Sequence, residues 1–272
     1  MQTTIQLNDE IKIPQVGLGV FRASADEAEN AVTWALEAGY RHIDTAKAYG
    51  NEAGVGKAVA GSGLQRKDLF ITTKLWNEDV RQRRTKEAFA ESLAALQTDY
   101  IDLYLIHWPV DGFKEAWKEM EELYHQGKIR SIGVSNFHAH HLEELAEIQT
   151  VKPAVDQIES HPYMTNQELI DYCQAQNIKA EVWSPLGGKN AAPLTDPAIG
   201  ELAEKYHRTP AQIIIRWDIQ RSVIVLPKSI HKERIVSNFD VFNFEISPED
   251  MEAISALNKN QRVGSDPDHF DF

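Results

Sequence analysis

Eight short apolar runs, each followed by a longer stretch of helical character, constrain this chain more than any other feature of its sequence. The runs are Val16–Leu18, Arg41–Ile43, Leu69–Thr73, Ile101–Ile106, Ile129–Val134, Ala154–Ile158, Ala180–Trp183 and Ile224–Leu226. Apolar spacing predicts helices over Asp26–Ala38, Glu52–Ala60, Arg84–Leu96, Phe113–Gln126, His140–Ile148, Asn166–Ala175, Pro197–His207 and Glu233–Phe239. Gly39, Gly63 and Gly127 follow helical segments, where a left-handed cap is often required. Eight strand–helix units joined by right-handed crossovers close into an (α/β)8 barrel. A doubly wound open sheet uses the same alternation and is the main rival. Thr4–Ile13 reads as an added N-terminal β-hairpin turning at Asn8-Asp9, and Thr209-Pro210 opens a further helix over Ala211–Gln220.

A barrel of this kind takes about 250 residues as one domain, so the 272 residues fit a single domain spanning 1–272. Apolar residues at 42% and charged residues at 25% suffice for a large core. The net charge of −13 repels nucleic acid and anionic membrane alike. Cys173 stands alone, which excludes an intramolecular disulfide and a cysteine-based zinc site. The opening Met1-Gln2-Thr3-Thr4 has no basic or apolar signal region, and no apolar run nears the ~20 residues of a membrane span. The expectation is a cytoplasmic chain with a small-molecule substrate, and neither nucleic acid nor membrane as partner.

Barrel active sites lie at the C-terminal ends of the strands, and the residues just past each run are unusual. Asp44-Thr45 ends the second, with Tyr49 in the following loop; Lys74-Leu75-Trp76 ends the third and His107-Trp108-Pro109 the fourth. Ser135-Asn136, Gln157, Trp183-Ser184 and Lys228-Ser229 follow in turn. Polar and ionisable groups thus gather at one rim.

Asp44, Tyr49, Lys74 and His107 make chemical sense as a unit. A free phenol, with a pKa of about 10, is a poor acid at neutral pH. An ammonium at Lys74 lowers that value by stabilising phenolate, and Asp44 holds Lys74 charged and oriented. His107 can donate to a carbonyl oxygen and fix it beside Tyr49. Such a group protonates an oxygen that is gaining negative charge, as hydride addition to a carbonyl requires. Singly, each residue has a plainer reading: a cap, a loop aromatic, a structural ion pair, a core histidine. Their arrival at consecutive strand ends favours the chemical one.

At these residues the sequence resembles the aldo-keto reductases. The matching segments are Gly17-Leu-Gly-Val-Phe21, His42-Ile-Asp-Thr-Ala46 with Tyr49 and Asn51-Glu52, Ile71-Thr-Thr-Lys-Leu-Trp76 and Asp102-Leu-Tyr-Leu-Ile-His-Trp-Pro109. Ile132-Gly-Val-Ser-Asn-Phe137, Gln157-Ile-Glu159, Trp183-Ser-Pro-Leu186 and Pro227-Lys-Ser229 continue the match in the family's order. It looks closest to the bacterial branch of diketogluconate and glyoxal or methylglyoxal reductases. The resemblance implies an (α/β)8 barrel with long C-terminal rim loops, NADPH-dependent reduction of small aldehydes and ketones (dicarbonyls, keto sugars), a monomer, and Asp44, Tyr49, Lys74 and His107 as catalytic residues. It implies that Ser135, Asn136 and Gln157 hold the nicotinamide carboxamide, that Trp183 stacks on its ring, and that Ser184 and Leu186 lie along the pyrophosphate. Gly19, Val20 and Phe21 border the cofactor, with Phe21 also facing substrate. Lys228, Ser229 and Arg234 match binders of the 2′-phosphate, and Asn238 an adenine contact.

That resemblance agrees with the absence of a complete GxGxxG or Walker A pattern. Flexible and fork-like cations in Lys228–Arg234 suit the extra phosphate of NADP(H). His231 replaces a common Arg, Ser237 a common Glu, and Asp156 a common Asn. Lys47 stands in a loop where relatives are neutral; it either attracts anionic substrates or faces solvent.

His138, His140 and His141 have no carboxylate at ligand spacing and read as a solvated helix start, so no metal is expected. Trp34, Trp117 and Trp217 lie on helical patterns and read as packing, whereas Trp76 and Trp108 should line the substrate pocket. The tail Arg262–Phe272 either folds over that pocket or frays. Two other functions fit the barrel: a non-catalytic NADP(H)-binding regulatory subunit, and a lyase or isomerase with Lys74 as a Schiff base.

Overall fold

A computed structural model describes residues 2–272; Met1, the first residue of the opening segment, lies outside the described residues. The strands are β1 (Thr4–Gln6), β2 (Lys12–Pro14), β3 (Leu18–Gly19), β4 (His42–Asp44) and β5 (Phe70–Leu75). They continue as β6 (Ile101–Ile106), β7 (Ile129–Ser135), β8 (Val155–Glu159), β9 (Lys179–Trp183) and β10 (Ile224–Leu226). β3 to β10 lie side by side in chain order, all parallel. Parallel bridges Val16↔Val225 and Gly19↔Lys228 join the first of them to the last. The sheet is therefore a closed barrel, and the open-sheet rival falls.

The helices are α1 (Ala25–Ala38), α2 (Glu52–Gly61), α3 (Asn77–Arg81), α4 (Thr85–Leu96), α5 (Phe113–His125) and α6 (Ala139–Ala146). After these come α7 (Gln167–Ala175), α8 (Pro197–Tyr206), α9 (Pro210–Gln220), α10 (Lys232–Phe239) and α11 (Pro248–Ser255). Their ends follow local chemistry. Ser24 Oγ accepts from the Glu27 N–H at 3.2 Å while the Glu27 carboxylate accepts from the Ser24 N–H at 2.8 Å, a capping box that starts α1. Gly39 ends α1 at φ 108°, where a Cβ would also press to 3.0 Å from the Phe239 ring. Thr209 caps α9 through Gln212 in the same reciprocal way, with Pro210 in the first turn. No described helix is long and apolar enough to cross a membrane.

Strand residues alternate between two environments. Ile43, Ile71, Tyr104, Ile106, Ile132 and Val134 face outward into the shell shared with the helices, where Trp117 is fully buried and Trp34 packs at the edge. Phe70, Leu103, Leu105, Val155 and Ile224 face inward at the N-terminal end, and Leu7 and Ile13 of the β1–β2 hairpin plug that opening. Burial of each such side chain stabilises the fold by about 1.5–3 kcal/mol. Nearer the C-terminal ends of several strands the inward residues turn polar, as at Lys74, His107, Gln157 and Glu181. The barrel thus has a greasy floor and a polar layer above it, and the layer carries the site.

Candidate active site

Lys74 is fully buried in the polar layer. Its Nζ donates to Asp44 Oδ2 at 2.7 Å and to the Thr45 carbonyl at 2.8 Å. Burial opposes its charge, but Asp44, Tyr49 and Glu181 outweigh that opposition and raise its pKa above the ordinary value. Gln157 Nε2 donates to Asp44 Oδ2 at 2.8 Å and to Glu181 Oε2 at 2.6 Å, tying two carboxyl groups together. Burial raises the pKa of both; Glu181, with Asp44 as its next cause, is pushed up to about 8. Asp44, in contact with the ammonium, carries the charge, and Glu181 keeps its proton at neutral pH. Glu181 Oε1 lies 3.6 Å from His42 Nε2, and burial pushes the His42 pKa down to about 3, so that pair is neutral.

Tyr49 ends a 3-10 turn, Lys47–Tyr49, closed by Gly50 at φ 67°. Its ring centroid lies 5.1 Å from Lys74 Nζ, 5.7 Å from the His107 ring and 4.9 Å from the Phe21 ring. From the sequence, Lys74 is expected to lower the phenol pKa. Lys74 is indeed the strongest influence in that direction, but burial outweighs it and Asp44 adds to the rise, so the value is pushed up to about 12. The resting phenol therefore keeps its proton. Burial, then the Lys74 charge, hold His107 well below the ordinary histidine range, so it is a neutral imidazole. Its Nδ1 is buried without a partner among the described residues.

These groups open into a cavity of about 1010 Å3, whose wall includes Gly19, Phe21, Asp44, Tyr49, Trp76, His107 and Trp108. The same wall continues through Ser135, Asn136, Gln157, Trp183, Ser184, Leu186 and Lys228. Four expected cofactor residues are not on it. Val20 is fully buried in the core, with its N–H donating to the Asp44 carbonyl. Ser229 is buried and accepts from the His231 N–H at 3.1 Å, Arg234 is exposed on α10, and Asn238 is buried on that helix. Trp183 Nε1 donates to Asn136 Oδ1 at 3.0 Å, which fixes the ring's orientation. Asn136 and Ser184 adopt φ of 62° and 53°, left-handed values that cost a non-glycine residue energy and cluster at functional sites.

Lys47 does neither of the things its sequence context suggests. Half-buried, its Nζ pairs with Asp79 at 2.8 Å and Glu91 at 2.6 Å, so its charge is already matched. The tail folds over the cavity. Phe272 stacks on Trp76 at 6.0 Å and 4°, Phe270 lies 4.9 Å from Trp108, and the Phe272 carbonyl accepts from Asn77 Nδ2 at 3.1 Å and Arg81 at 2.9 Å. The Glu159 carboxylate accepts from the N–H groups of Val263 at 2.6 Å and Gly264 at 3.1 Å. Gly264 lies so close to Trp183 that a Cβ would fall 2.3 Å from the indole. Sequence reasoning assigned no role to Glu181, Glu159 or Gly264. Strand alternation alone places Glu181 on the same inward face as Trp183.

The profile of the aldo/keto reductase family matches residues 15–259. The chain belongs to that family. This aldo-keto reductase is 49% identical to glyoxal reductase of Bacillus subtilis over 274 residues, covering 100% of this chain and 99% of the relative. It is 48% identical to methylglyoxal reductase DkgA of Escherichia coli, covering 98% of each. Among solved structures, a Bombyx mori aldo-keto reductase in complex with NADP superposes with a TM-score of 0.92 at 41% identity, covering 98% of this chain and 96% of that one. The chain is thus a member of an oxidoreductase family whose relatives include enzymes named for the reduction of glyoxal and methylglyoxal.

Proposed function

We infer that this aldo-keto reductase reduces small aldehydes and ketones, dicarbonyls and keto sugars among them, with NADPH as hydride source and Tyr49 as general acid. The single observation that carries the reading is Lys74 Nζ, fully buried, held at 2.7 Å by Asp44 and set 5.1 Å from the centre of the Tyr49 ring. A phenol with its pKa near 12 stays protonated until an alkoxide, a far stronger base, forms beside it. Lys74 then stabilises the phenolate left behind, inside a site where charge interactions are stronger than in water. His107, neutral, donates to the carbonyl oxygen and orients it. Trp76, Trp108 and Phe272 exclude water from the reacting carbon.

The donor set fits NADPH. Both Gln157 Nε2 protons are taken by Asp44 and Glu181, so Oε1 is the atom left to accept from the carboxamide. Ser135 and Asn136 flank that position, the Trp183 face receives the nicotinamide ring, and Ser184 and Leu186 line the pyrophosphate path. Lys228, Ser229 and Arg234 take the 2′-phosphate, with Asn238 near the adenine. When bound, the cofactor supplies the hydride. The NADP complex of the Bombyx mori enzyme supports this assignment. Lys74 is a poor Schiff-base candidate, because its neighbours keep it protonated. The protein acts as a cytoplasmic monomer; of its exposed large apolar side chains among the described residues, Phe21, Val263 and Phe272 line the active-site cavity rather than a separate surface.

The test is steady-state oxidation of NADPH and NADH, side by side, with glyoxal, methylglyoxal and a keto sugar. Turnover with NADPH at a kcat/KM at least tenfold above that with NADH is expected. NADPH binding without turnover of any carbonyl would instead support a regulatory subunit.

A further inference from the structure

His138 sits at the N-cap of α6, and His140 and His141 in its first turn. In the tail, Asp268 N–H donates to Asp266 Oδ1 at 3.0 Å, and an Asp266↔His269 bridge folds the chain into a tight turn. That turn brings Asp268 to the histidines. Its Oδ2 lies 2.8 Å from His138 Nδ1, and its Oδ1 lies 3.2 Å from His140 Nε2 and 3.6 Å from His141 Nε2. One donor atom from each of the four side chains lies within 4.8 Å of all the others. The carboxylate that the local sequence around the histidines lacks is supplied by the fold, from 127 positions beyond His141.

We propose that His138, His140, His141 and Asp268 bind one divalent ion of the zinc class, and that the bound ion latches the tail to α6. Three imidazoles and a carboxylate are a donor set that zinc takes readily. Donors in a tetrahedral zinc site stand roughly 3.3 Å apart, given bonds of about 2.0–2.2 Å. The three Asp268 distances bracket that value, and the wider histidine separations close by rotation of side chains at the surface. Glu144 and Asp266 add favourable charge nearby. Two contacts must give way. Arg262 lies 3.0 Å from His138 Nε2, and the His138 N–H donates to His141 Nδ1 at 3.1 Å. Ligation through His138 Nδ1 and His141 Nε2 places a proton on each opposite nitrogen, so Arg262 turns to solvent and the His138 N–H to water. The loss of these two contacts weakens the affinity of the site for the ion. Its consequence reaches the active site, since Phe270 and Phe272, just beyond Asp268, form part of the aromatic wall.

The experiment uses the full chain without a histidine tag, stripped with a chelator and titrated with Co2+. Visible absorption of tetrahedral intensity should saturate at one equivalent and be displaced by Zn2+. His140→Ala and Asp268→Asn, both at exposed positions, should each weaken binding at least tenfold while Tm without metal stays unchanged. Tryptic cleavage after Arg262 should slow about tenfold with Zn2+ in the wild type and not in His140→Ala. Absence of saturable absorption, or absorption that persists in both variants, overturns the site. Binding that leaves cleavage unslowed overturns the latch. None of these readouts depends on turnover, so they stand apart from the catalytic reading.

Discussion

Gln157 donates a 2.6 Å hydrogen bond to Glu181, a carboxyl group that lies wholly inside the barrel and is held protonated near neutral pH. The same amide nitrogen reaches Asp44 at 2.8 Å, so the floor of the site is one connected network running from Glu181 to Lys74. Networks of this kind respond to removal of any member.

Glu181→Leu should release one Gln157 N–H, free the amide to turn, and weaken NADPH binding about 5–30-fold, the equivalent of ~1–2 kcal/mol. A fluorescence titration with NADPH checks this. Unchanged affinity would show that Gln157 needs no second anchor.

The raised Glu181 pKa also predicts a stability profile. Between the unfolded value of 4.5 and the folded value of about 8, the native state binds the extra proton. Stability from this group is thus fully present below pH 4.5 and lost as pH rises through 8. Glu181→Gln should therefore raise Tm at pH 9 more than at pH 5. An equal shift at both values would mean that Glu181 does not titrate in this window.

Lys74→Met should leave Asp44 buried without its partner, at a cost of about 3–5 kcal/mol. Adding Asp44→Asn should recover much of the Tm. It should not recover kcat, expected to stay down by roughly 10²–10⁴, because no ammonium stabilises the phenolate. Recovery of kcat together with Tm would reduce Lys74 to a structural role.

Phe272→Ala removes the stack on Trp76. Aromatic pairs contribute about 0.5–1.5 kcal/mol beyond their buried area, so KM for aldehydes should rise roughly 2–12-fold with NADPH affinity unchanged. A KM for NADPH that moves equally would place the tail over the cofactor instead.

Much of this was legible in the sequence. Ile101–Ile106 and Ile224–Leu226 coincide with β6 and β10, because strands sealed between a barrel core and a helical layer read as unbroken apolar runs. α3, with five residues, is too short to show a helical period. α11 carries a Ser247-Pro248 start of the same kind as Thr209-Pro210, a signal that was present and unread. Asp44, Lys74 and His107 were visible as odd residues at strand ends. The sign of the Tyr49 shift was not, since burial depends on residues far apart in the sequence, such as Phe21 and His107, packing about the ring. The approach of Asp268 to three histidines has no local pattern at all.

The central claim is that Tyr49 supplies the proton. Its most direct test is single-turnover reduction of methylglyoxal by NADPH-loaded Tyr49→Phe, beside an equilibrium titration of NADPH. A rate at least roughly 10²-fold slower is expected, with the dissociation constant for NADPH within about twofold of wild type, which corresponds to under ~0.5 kcal/mol. Reduction at a rate near that of wild type would contradict it.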